Sequence, residues 1–161
     1  MRRRITILAL FLVAAAIPLS VLAATTGSLT SQLDRQRAKW RAGSVSTAST
    51  AWTTIPGLRF LRVCAHNEVS ATVSVTLSGG PALVRVLMGT GALLPMHPGP
   101  ARFVPEGAAV RSFSYTWVAD AQPFEGSDGQ GLEVQWRSPS GQPITLTRGD
   151  VNVLFEQGSC P

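Results

Sequence analysis

From Val69 to Leu77 the chain reads Val-Ser-Ala-Thr-Val-Ser-Val-Thr-Leu, with an apolar residue at every odd position and a hydroxyl at every even one. That period of two is the pattern of a half-buried antiparallel strand. Ser78-Gly79-Gly80-Pro81 has turn composition and Ala82–Met88 returns as a strand, so residues 69–88 predict a hairpin. Alternation recurs elsewhere. Leu58–Ala65 places Phe60 on one face and Leu61 and Val63 on the other. Over 109–119, Phe113, Tyr115 and Trp117 oppose Ser112, Ser114 and Thr116. Leu132–Arg137 has its apolar set inward. Ile144–Thr147 and Val151–Phe155 predict two short strands around a turn at Arg148-Gly149-Asp150. After residue 50 no stretch has a helical period. About seven strands with turns between them predict an all-β domain over 51–161, an antiparallel two-sheet β-sandwich of Ig-like size. Trp117 and Trp136 are expected in its core.

The N-terminal third follows different rules. Arg2, Arg3 and Arg4 precede an apolar run from Ile5 to Ala24, the layout of a secretory signal. Pro18 ends its helix and Val21-Leu22-Ala23 offers a cleavage site, so residues 1–23 are expected to be a signal peptide cut after Ala23. Retained, the same run is long enough to span a bilayer and would be an uncleaved anchor. The cations Arg35, Arg37, Lys39 and Arg41 would then all lie outside, against the usual orientation. Residues 24–50 are rich in Ser, Thr, Ala and Gly and read as a linker. Ser31-Gln32-Leu33-Asp34 resembles a capping box, and Leu29, Leu33 and Trp40 fall near one helical face, so a short helix over 29–41 is the alternative to a frayed linker there. Its cationic face would lie on an anionic surface; otherwise the segment is a solvated linker.

Charge changes the picture by where it sits. The 161-residue chain carries a formal +5, but from residue 42 onward seven arginines face eight acids. The folded part is near neutral, and nothing there points to nucleic acid, which requires a basic face. Two cysteines, Cys64 and Cys160, are expected to pair outside the cytoplasm.

Candidate chemistry is sparse. His66 and His97 are the two histidines, His66 beside Asn67-Glu68, and there is no Gly-x-Ser-x-Gly elbow. No catalytic residues are assigned and an enzyme is not expected. No Cys-x-x-Cys or His-x-His spacing signals zinc. Met88, Met96 and His97 bring soft sulfur and imidazole to one region, a donor set that suits copper. Asp120, Glu125 and Asp128 lie in the Gly-rich stretch 120–131, where oxygen ligands could hold calcium. No cofactor is otherwise implied. Arg148-Gly149-Asp150 is treated as turn chemistry. Trp40 and Trp52 are the candidate interaction residues, because an exposed tryptophan suits protein or carbohydrate contact.

These features predict an exported, non-enzymatic β-sandwich acting as a binding or structural module at the cell envelope or outside the cell. Its partner is a protein or envelope component, and the membrane enters only through residues 5–24 if they are retained. A small exported copper- or calcium-binding protein is the alternative. In outline the chain also resembles pilins, with an apolar helix, a β-domain and a cysteine near the C-terminus. That resemblance implies an anchored appendage subunit, although the pilin processing motif is absent.

Overall fold

The computed structural model describes residues 35–105, 109–120 and 129–157. The expected signal segment 1–23, residues 24–34, Glu125, Asp128 and Cys160 lie outside them. Every described residue belongs to one compact unit within Leu33–Pro161.

The described residues form nine strands: β1 Arg35–Thr47, β2 Thr53–Val63, β3 Ala65–Gly79, β4 Ala82–Gly89, β5 Leu94–Pro95, β6 Ala101–Phe103, β7 Arg111–Asp120, β8 Gln130–Arg137 and β9 Ile144–Gln157. They form two antiparallel sheets. One has the order β1-β9-β3-β7; the other runs β2-β8-β4-β5, with β6 also paired to β4. The first strand pairs with the last, and the second with the last but one. This is the winding of a double-sheet jelly roll. The all-β two-sheet sandwich expected from the alternation is therefore present, in a jelly-roll strand order.

The core lies between the sheets. Val69, Ala71, Val73, Val75 and Leu77 of β3 are buried, facing Val84, Val86, Leu132, Val134 and Trp136 from the other sheet. The intervening hydroxyls form rungs on the outer face. Thr72 pairs with Thr116 at 2.8 Å, Ser74 with Ser114 at 3.2 Å and Thr76 with Ser112 at 3.0 Å. Apolar burial and a satisfied polar face thus come from a single alternation.

Four expectations are corrected. Residues 69–88 are not a hairpin, because β3 and β4 belong to different sheets. Both edges of β3 are already paired, to β7 and β9, so the chain must cross the core at Gly79-Gly80-Pro81. Gly79 adopts φ +95°, and a Cβ there would stand 2.4 Å from the Pro143 carbonyl oxygen, so the crossing needs glycine. Second, Arg148-Gly149-Asp150 is not a turn. It lies within β9, paired on both sides to β1 and β3. A Cβ at Gly149 would stand 3.1 Å from the Leu58 side chain, a tight approach inside the core. Third, Phe60 and Val63 are both buried while Leu61 is exposed. The pairing of β2 with β8 slips between Phe60 and Val63, and this bulge returns Val63 to the core.

The fourth correction moves the start of the sandwich. Residues 35–47 are neither linker nor helix but β1, paired antiparallel to β9 from Arg35↔Phe155 to Thr47↔Ile144. Tertiary pairing supplies the partner that a short isolated helix would lack. Leu29 lies outside the described residues.

The two flanks of the sandwich close differently. On one, Trp117 donates its indole N–H to Gly99 O at 2.6 Å, Phe103 stacks on Phe113 at 5.1 Å, and His97 exchanges backbone hydrogen bonds with Val118. On the other, Arg37 and Lys39 of β1 lie over the Phe60 ring of β2.

Candidate interaction surface

Outward positions on β8 are Glu133, Gln135 and Arg137, alternating with the buried Leu132, Val134 and Trp136. Register then sets their neighbours. Gln135 lies opposite Thr54 on β2 and Arg85 on β4, and Glu133 lies opposite Arg59 and Leu87. Residues opposite one another in an antiparallel pair share a face, so these side chains meet on the outside of the five-stranded sheet.

They form one connected network. Arg85 donates from Nε and Nη2 to Gln135 Oε1 at 3.0 and 2.7 Å. Gln135 donates from Nε2 to Glu133 Oε1 at 2.7 Å, and Thr54 donates its hydroxyl to the same oxygen. Arg59 Nε lies 3.8 Å from Glu133 Oε2. Glu133 is almost wholly buried by this company, at 8% exposure. The Trp52 ring carries two guanidiniums, Arg85 at 4.3 Å and Arg137 at 4.9 Å from its centroid. Arg137 also donates to Thr50 O at 3.4 Å.

The electrostatics are strained in one place. Burial, and then the like charge of Arg137, push the Arg85 guanidinium below its ordinary pKa, while Glu133 pulls it back up. Two cations on one indole are held together by the ring and the single carboxylate beside them. The result is a rigid aromatic and cationic platform on an open sheet face.

Of the two tryptophans singled out for interaction, Trp52 is half-buried within this platform. Trp40 is 74% exposed on β1, opposite Asp150. The soft-donor residues separate. Met88 and Met96 are buried in the core, whereas His97 is exposed and held by its backbone to Val118. Asp120 ends β7; its expected calcium partners Glu125 and Asp128 lie outside the described residues. Among the described residues no three His, Cys, Asp or Glu side chains gather as a metal site would require. His66 Nδ1 lies 4.0 Å from Glu156 Oε2 on the outer face of the other sheet. Cys64 sits between β2 and β3, and no described cysteine is free. Trp117 and Trp136 are both core residues.

The sequence pointed to Trp52 and missed its neighbours. Glu133, Gln135 and Arg137 were legible as the outward set of one strand. Arg85 and Thr54 join them only through strand order.

No family model matches the chain, and no curated protein matches it. Solved structures resemble it in fold. The VP2 subviral particle of infectious bursal disease virus aligns with a TM-score of 0.55 at 12% identity, over 80% of this chain and 34% of that one. The Gx strain of the same virus aligns with a TM-score of 0.51, also at 12% identity and with the same coverage. The chain thus spans about a third of the length of these viral chains. What it shares with them is the architecture of a jelly-roll β-sandwich.

Proposed function

We propose that the chain is an exported, non-enzymatic β-sandwich that serves as a binding or structural module at the cell envelope or outside the cell. The observation that carries this reading is the Trp52–Arg85–Gln135–Glu133 platform. Its ionisable groups are engaged with one another on an open sheet face, and none is poised for proton transfer in a cleft. A tryptophan clamped by arginines offers contact area at little entropic cost, and Trp and Arg are the residue types that most often dominate binding energy. Export is supported by Arg2–Arg4 and the apolar run to Ala24, and a Cys64–Cys160 disulfide belongs to the same reading.

The test compares the wild-type chain with Trp52→Ala and Arg137→Ala at native expression, after separating cytoplasm, envelope and medium. The expected result is that all three chains leave the cytoplasm with similar melting temperatures, and that the variants are lost from the fraction that retains the wild type. Unchanged retention of both folded variants would overturn the platform as the binding surface. Wild-type chain confined to the cytoplasm would overturn export.

A further inference from the structure

The cations of β1 occupy alternate positions: Arg35, Arg37, Lys39 and Arg41. Their partners on β9 are Phe155, Val153, Val151 and Gly149, of which the first three are buried. The four cations therefore share the inner face of the four-stranded sheet, at its edge, while Gln36, Ala38 and Trp40 face out. At about 6.8 Å per two residues the row is roughly 20 Å long.

Inward-facing charge on an edge strand is one way to block unwanted strand pairing. The details here go further. Arg37 and Lys39 lie over the Phe60 ring, at 5.6 and 5.3 Å from its centroid. Arg37 donates to Arg62 O and Arg41 to Pro56 O, the latter at 3.0 Å. These anchors are carbonyl oxygens and a ring. Among the described residues none of Arg37, Lys39 and Arg41 is ion-paired. The aliphatic stems cover the flank. Arg35, Arg37 and Lys39 are exposed.

We infer that this flank binds an extended linear polyanion, an acidic polysaccharide with carboxylate or phosphate groups along its backbone. The charges form a line along one twisted edge strand. A chain-like partner can follow such a line, whereas a flat headgroup surface would reach only part of it. Repeated charge–charge contact of this kind gives binding that weakens steeply with salt. The inference concerns a different surface from the Trp52 platform and stands or falls separately from it.

The experiment measures binding of the purified full chain to polygalacturonate and, in a second arm, to inorganic polyphosphate. Arg37→Gln/Lys39→Gln is compared with Arg111→Gln, which removes one charge from β7 at the opposite edge. At low ionic strength the double variant is expected to lose about tenfold or more in affinity, and Arg111→Gln little. Binding in one arm alone assigns carboxylate or phosphate. Equal affinity of the double variant and wild type would overturn the inference, as would an equal loss in Arg111→Gln. Stronger binding to anionic phospholipid vesicles than to either polymer would overturn the linear partner. Should the double variant fail to fold, Lys39→Gln alone gives the same comparison, because among the described residues Lys39 is held only by the Phe60 ring.

Discussion

Glu133 holds the platform together in two ways that mutation can separate. Its Oε1 accepts hydrogen bonds from Gln135 and Thr54, and its charge sits beside Arg59 and Arg85. Glu133→Ala removes both. It leaves the Gln135 amide and the Thr54 hydroxyl without an acceptor on a half-buried face, and leaves Arg85 and Arg137 facing each other over Trp52. A hydrogen bond to a charged group contributes about 1.5–3 kcal/mol and an abandoned donor costs in the same range, so the two donors and partial solvent access together give a loss of roughly 3 kcal/mol. Glu133→Gln keeps Oε1 as acceptor and removes only the charge. Arg59, whose side chain is 56% exposed, lies 3.8 Å away. Such a pair contributes at most about 1 kcal/mol, and the cost of Glu133→Gln is expected near that value. Urea unfolding with unchanged m-values would measure both. Equal losses in the two variants would refute the view that the hydrogen bonds dominate. Losses below about 0.5 kcal/mol in both would refute the network as a stabilising element.

Other expectations follow from the fold. Gly79→Ala forces an L-residue into the left-handed region and drives a Cβ to 2.4 Å from Pro143 O, so it is expected to cost about 2 kcal/mol or more, against near neutrality for Gly91→Ala, where no atom lies within 4 Å. Thermal melting reads this as a drop of roughly 8 °C, and equal melting of the two variants would contradict the sheet crossing. Because Met88 and Met96 are core residues, copper is expected to leave the melting temperature unchanged. A rise that saturates with one copper per chain would contradict that assignment.

The strands that were legible in the sequence are those whose inner positions are apolar and outer positions polar. β3 and β8 satisfy this, as does β7 from Ser112 to Trp117, and each lies where its alternation placed it. β1 obeys the same period, but its inner positions carry Arg35, Arg37, Lys39 and Arg41, so a search for apolar periodicity passes over it. Alternation of charge was the signal present. The sheet crossing at Gly79-Gly80-Pro81 has the composition of a hairpin turn, because both require glycine's freedom and proline's missing N–H; only the occupied edges of β3 distinguish them. Arg148-Gly149-Asp150 misled for a related reason, since Gly149 lies in tight approach to the side chain of Leu58 inside the core. The platform was half legible. Local alternation gives Glu133, Gln135 and Arg137, while their meeting with Thr54 and Arg85 depends on pairings between distant strands.

The central claim is an exported, oxidised module, and its most direct test is the N-terminal residue and intact mass of the chain recovered outside the cytoplasm. The account predicts a start at Ala24 and a mass about two protons below that of the reduced chain, as one Cys64–Cys160 disulfide requires. A chain that keeps Met1, stays in the cytoplasm and carries two alkylatable thiols would contradict it.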